Sequence, residues 1–242
     1  MRPIGVAFLK SIGNCFGRST ESIAAVADVL AAKQAEIVEY FESILAQPAL
    51  IAAIARRSYW HNNGFAKLVL HQDRLGYCVR LHAWLDSSAV VERASNVHNH
   101  RWDFASINLS GAGLVSRNFL PDLTGDKYHI FSYARRAANS VFRPLGTVGL
   151  SGQSEVRVER GEVYICRTSQ LHIVNPMPGP QMFTLVVQGP ARLPSATVYS
   201  RSEQPSQLSE SQNPISSEEV FMLIAAALNH QVGLGGYSAI HS

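Results

Sequence analysis

Apolar positions change their spacing once along the chain. Through the first third they recur mostly three or four residues apart, at Ile23, Val26, Val29, Leu30, Ile37, Phe41, Ile44 and Leu45. That is the period of one buried helical stripe, and alanines fill much of the remainder. Thr20 is placed to cap this helix, with Glu21 in its first turn. Pro48 suits the start of a second, short helix over 49–57. The sequence SYWHNNG then closes the helical section.

From about Phe65 the period becomes two. In YCVRLHAWL, Tyr77, Val79, Leu81 and Ala83 share one face, and Cys78, Arg80, His82 and Trp84 share the other. This pattern fits core against solvent, and equally an outer packing face against a functional cavity. The presence of Trp84 on the polar face favours the cavity. Further short strands are predicted over 104–110, 128–131, 142–145, 155–159, 162–166 and 182–188, punctuated by Gly and Pro. Many short strands at this spacing predict a barrel or sandwich rather than a parallel α/β sheet. A polar connector covers 202–213, and a last helix is predicted over 217–229. Ser216 and Glu219 form a capping box, with Ile215 and Val220 spaced for a hydrophobic staple. The expected organisation is a helical segment over 1–64 packed on a barrel over 65–200, then a connector, helix and tail over 201–242.

Composition narrows the function. The 242 residues carry 21 Lys and Arg against 18 Asp and Glu, a net charge of +3. An excess so thin and scattered predicts no nucleic-acid partner. The longest apolar runs, 220–228 and 4–9, fall short of the roughly 20 residues of a membrane span. The first residues read as ordinary protein rather than a secretion signal. Cys15, Cys78 and Cys166 are odd in number and far apart, which fits a reducing, cytoplasmic setting and no disulfide framework.

The chemistry lies in the histidines. His98 and His100 stand at i and i+2, so on a strand both imidazoles share a face and can bind one ion. Gly161 opens a later strand, and His172 follows the turn-like RTSQ. Taken alone, an HxH pair arises readily by chance. Joined to the strand pattern and the third histidine, it predicts a metal site.

These features resemble the cupin superfamily. Its first motif is an HxH pair, a carboxylate and a Gly closing the next strand. Its second is a Gly, a strand, a turn and a third His near an Asn. The matching positions are His98, His100, Gly111, Gly161, His172 and Asn175, within a resemblance covering about 77–198. The resemblance implies a mainly β fold, a cupin (double-stranded β-helix or jelly-roll) barrel with N-terminal helices and a C-terminal helix. At the position of the usual metal-binding Glu this chain has Phe104, with Asp103 beside it at the opposite strand parity. The ligand set is therefore His98, His100 and His172, with Asp103 either a fourth ligand through a shifted turn or a partner of a ligand imidazole or of Arg101.

A three-histidine cupin is similar to the cysteine dioxygenase group of thiol dioxygenases. There a cationic residue precedes a strand ending in Trp, followed by the HxH; here Lys67 and Trp84 take those places. The family's crosslinking cysteine is absent, because Phe104 fills its position. The resemblance implies a mononuclear Fe(II) oxygenase acting with O₂ on a small polar metabolite such as a thiol or amino acid. The residues expected to serve it are Lys67, Arg80 or Arg101 for an acidic tail, His82 as general base, and Trp84 beside them. Tyr77 is a further candidate whose parity sets it with the apolar residues. Imidazoles bind Fe, Zn, Ni and Cu alike. An O₂-independent Lewis-acid isomerase, lyase or cyclase therefore stands as an alternative, as does a non-catalytic binding cupin. The expected assembly is a monomer or homodimer.

Overall fold

The computed structural model describes residues 6–16, 22–61, 63–85, 96–110, 113–136, 139–179, 181–203 and 213–232. The expected cap at Thr20 and Glu21, the motif residue Gly111, most of the polar connector and the tail from 233 lie outside the described residues.

Four helices open the chain: α1 (Val6–Phe16), α2 (Ser22–Ala32), α3 (Gln34–Leu45) and α4 (Pro48–Ala55). The stripe expected to run through one helix is divided at Lys33, whose backbone (φ −118°, ψ 42°) leaves the helical region. Both halves keep their apolar face buried, with Ile23, Val26 and Leu30 on α2 and Ile37, Phe41 and Ile44 on α3. Pro48 begins α4, where its missing N–H costs nothing.

Twelve strands are described: β1 (Tyr59–His61), β2 (Phe65–Gln72), β3 (Cys78–Trp84), β4 (Val97–His98), β5 (Phe104–Asn108), β6 (Leu114–Arg136), β7 (Asn139–Val158), β8 (Val163–Cys166), β9 (Leu171–Pro176), β10 (Met182–Gln188), β11 (Ala196–Ser200) and β12 (Asn213–Pro214). They form two sheets, ordered β12-β1-β2-β3-β10-β5-β8 and β11-β4-β9-β6-β7, with every pairing antiparallel. This is a mainly β sandwich of two antiparallel sheets with flanking helices, one of the two architectures that the strand pattern predicts. The expected short strands over 128–131, 142–145 and 155–159 are pieces of one long hairpin, β6–β7. Its ladder continues past an irregularity between Pro121 and Asp126, and Leu120, Leu123 and Leu145 are exposed along it. With no consistently buried face, the hairpin leaves no alternation to read.

The helices cover one face of the seven-stranded sheet. Leu68 and Leu70, Val79 and Leu81, Ile107, and Phe183 and Leu185 pack there in one cluster with Phe8, Ile12, Leu30, Phe41 and Ile54. Each such side chain, fully buried, contributes about 1.5–3 kcal/mol relative to exposure. The alternation on β3 is thereby resolved: Val79, Leu81 and Ala83 meet the helices, and Arg80, His82 and Trp84 face inward between the sheets. Tyr77 stacks on Phe16 on the helical side (ring centroids 5.0 Å apart), which removes it from the site.

Helix α5 (Ser217–Val232) completes the cover. The capping box forms as expected: Ser216 N–H donates to Glu219 Oε2 at 2.8 Å, and Glu219 N–H donates to Ser216 Oγ at 3.1 Å. Ile215 and Val220 are both buried against the helical cluster. Among the described residues no single helix is long and apolar enough to cross a membrane. The bent pair α3–α4, which passes by length and composition, buries its apolar residues in this cluster.

Candidate metal centre

The second sheet brings the three histidines together. Strands β4 and β9 pair so that His98 and His172 stand directly opposite each other, although 74 positions separate them in the sequence. His100 lies just past the end of β4 rather than on it. Its segment is returned to the site by Asn99, whose N–H donates to Thr197 O at 3.1 Å and whose Oδ1 accepts from Thr197 N at 2.6 Å.

The three rings form a nearly equilateral triangle, with centroids 4.9, 5.0 and 5.1 Å apart. One ring nitrogen from each lies within 4.8 Å of the other two. The Nε2 atoms of His100 and His172 approach to 2.9 Å. Two lone pairs do not face each other at that distance without a proton or a cation between them. His98 Nδ1 lies 2.8 Å from Asn96 O, so it carries the hydrogen and leaves Nε2 free as a donor to an ion.

Burial disfavours protonation of all three. It lowers His98, it takes His100 well below the ordinary imidazole range with His98 and His172 adding to the effect, and it brings His172 down to about 3. Neutral imidazole is the metal-binding form. The three side chains therefore suit a single mid-size or soft divalent ion such as iron, zinc, nickel or copper.

Asp103 does not join them. Its Oδ1 accepts from Thr168 N–H at 2.7 Å, and its Oδ2 accepts from Arg192 at 2.5 Å, with Arg167 at 3.8 Å. Both carboxylate oxygens are thus engaged away from the three rings, and Arg101, the other expected partner, donates from Nε to Leu193 O at 3.1 Å. The reason is strand parity. Phe104, one residue on, turns toward the site, its ring 5.0 Å from His100 and 6.1 Å from His172. Cys166 also approaches His172, with Sγ 3.8 Å from both ring nitrogens. Burial, with the Asp103 charge, pushes this thiol up to about 12, so it stays protonated.

The triangle borders a cavity of about 130 Å³ between the sheets, which shares residues with an outer vestibule of about 290 Å³. Lys67, Arg80, His82 and Trp84, singled out from the sequence, all line it. His82 is held well below its ordinary pKa, by burial first and then by Lys67, Arg80 and His61. Its Nε2 and Arg80 Nε are shut from solvent without a hydrogen-bond partner. Arg80 lies over the Trp102 ring at 5.3 Å, and Lys67 over Tyr59 at 5.7 Å. Sequence reasoning missed Phe65, Trp102, Tyr164 and Thr184, which also line the cavity. Phe65, Tyr164 and Thr184 fall on or at the edge of predicted strands, and the cross-strand register that turns them inward is not written in any one segment.

No protein-family model matches this chain, and no curated protein matches it. Among solved structures it is similar to a cupin superfamily protein from Desulfitobacterium hafniense (9% identity, 57% of this chain and 87% of that one, TM-score 0.31). It is also similar to a cupin-like protein from Thermotoga maritima (11%, 68% and 91%, 0.33) and to hydroxypropylphosphonic acid epoxidase from S. wedmorenis (9%, 78% and 100%, 0.32). Likeness at this level leaves the chemistry to be read from the side chains of this chain.

Proposed function

We propose that the chain is a mononuclear metal-dependent enzyme of the cupin type, a non-haem Fe(II) oxygenase acting on a small molecule with an acidic group. The observation that carries this reading is the convergence of three neutral imidazole nitrogens on one point beside a cavity. His98, His100 and His172 would hold the ion. Bound Fe(II) would supply the electrons that a spin-paired substrate cannot pass directly to O₂. The absence of a carboxylate from the ligand set favours an anionic substrate.

The protein's own side chains do the rest. Lys67 and Arg80 draw an acidic group into the cavity and fix its direction. His82, neutral and enclosed, accepts a proton from the substrate at Nε2. Phe65, Trp84, Trp102 and Phe104 keep water from the reacting atoms. The three cysteines are free, in keeping with a reducing cytoplasmic compartment.

The test is O₂ consumption by anaerobically purified, iron-loaded protein offered thiols, amino acids and catechols. Substrate-dependent uptake that disappears in His82→Ala supports the assignment. Turnover of substrate without O₂, on zinc- or nickel-loaded protein, would replace it with Lewis-acid isomerisation or lysis.

A further inference from the structure

Side chains on the inner face of the seven-stranded sheet fall into rows across the strands. His61 pairs with Phe65, and Trp84 pairs with Met182; the Phe65 and Trp84 rings lie 4.8 Å apart. The next row runs Lys67, His82, Thr184, Asn108. The row after it runs Arg80, Val186, Ser106, Tyr164. Strand β10 therefore lays a low floor of Thr184 and Val186. Phe65 and Trp84 stand at its Met182 end, and Tyr164 and Phe104 stand level with Val186 and Gln188 toward the other end, all four lining the cavity. The cavity of about 130 Å³ is close to the roughly 150 Å³ that holds benzene in an apolar protein interior.

Charge on the walls has one sign. Lys67 and Arg80 line the cavity, and among the described residues no Asp or Glu does. Arg80 Nε and His82 Nε2 are enclosed and unpartnered. Buried polar atoms in that state are costly, and a ligand in the cavity would complete them. Aliphatic walls would serve a flexible amino acid or thiol equally well. Aromatic side chains at both ends of the floor, with Lys67 and Arg80 between them, favour a flat π-system bearing negative charge.

Resting on the metal-centre reading, we propose that the substrate class is a planar aromatic acid. Its ring lies in this aromatic-lined cavity over Thr184 and Val186, and its acidic group meets Arg80 and Lys67. The probe is salicylate, titrated by calorimetry into zinc-loaded protein, which turns nothing over by O₂. Cyclohexanecarboxylate (charged, not flat) and salicylamide (flat, not charged) are the controls. Salicylate should saturate one site per chain, with each control weaker by about tenfold.

Arg80→Gln should weaken salicylate by about tenfold and leave salicylamide within about twofold. Trp84→Leu should weaken salicylate and spare cyclohexanecarboxylate. Equal binding of the two acids overturns the inference, as does no salicylate binding by protein carrying one zinc per chain. Zinc content on the same samples separates this failure from failure of the metal centre. The three-ligand comparison on the unmodified chain decides the matter whether or not the variants fold.

Discussion

Replacing Asp103 tests how the two halves of the metal centre are joined. Asp103 follows His100 by three residues, and Thr168, which it binds, precedes His172 by four. One enclosed carboxylate, 6% exposed, thus ties the segment after one histidine to the turn before another. In Asp103→Ala the Thr168 N–H loses its acceptor, at a cost of about 1–3 kcal/mol. Arg192 and Arg167 are 49% and 46% exposed and recover water, so their lost pairing adds only about 0–1 kcal/mol. The total is about 1–4 kcal/mol, which in a chain of this length lowers Tm by roughly 2–16 °C. Asp103→Asn keeps an acceptor for Thr168 and should cost about 1 kcal/mol. The assay is a urea and thermal unfolding series on both variants, with metal content measured alongside. Both should still bind one ion per chain, Asp103→Ala with reduced affinity. An Asp103→Asn protein with unchanged Tm and no bound metal would refute the reasoning and make the carboxylate a ligand.

Three further outcomes are expected. His98→Ala and His172→Ala should each abolish stoichiometric metal binding while the far-ultraviolet circular dichroism of the fold persists; full occupancy in either would remove that residue from the ligand set. Stability of metal-stripped protein should fall on acidification. The unfolded imidazoles take protons near 6.5 while His172 resists down to about 3, so the stabilisation is complete above 6.5 and is lost through that window. A urea midpoint that holds steady or rises between about pH 7 and 5 contradicts a neutral triangle. Ser216→Ala should cost about 1 kcal/mol through loss of the α5 cap, read as a Tm drop of roughly 2–4 °C. An unchanged Tm would mean that α5 is held by its packing alone.

What could be read in advance was what local chemistry dictates. The capping box at Ser216 and Glu219 is complete within four residues, and the structure forms it. The two faces of β3 are set by alternation, which groups Arg80, His82 and Trp84 without any register, while Lys67 on β2 is singled out by the resemblance to the thiol dioxygenase group. The histidine pair and His172 were found by spacing, although their meeting depends on the β4–β9 pairing. The remainder depends on distant partners. Arg192, which claims Asp103, lies 89 residues away, and nothing near Asp103 announces it. Tyr164 enters the cavity only because β8 pairs with β5 in one register. The break at Lys33 interrupts a stripe whose apolar spacing continues across it. In the β6–β7 hairpin, mutual pairing rather than a buried face maintains the strands.

The central claim is that His98, His100 and His172 hold one ion. Its most direct measurement is metal content by elemental analysis of protein purified without air, compared with His100→Ala prepared in the same way. The account predicts one equivalent of a transition metal in the unmodified protein and none in the variant. No metal in the unmodified protein after reconstitution with Fe(II) or Zn(II), or equal metal in both, would contradict it.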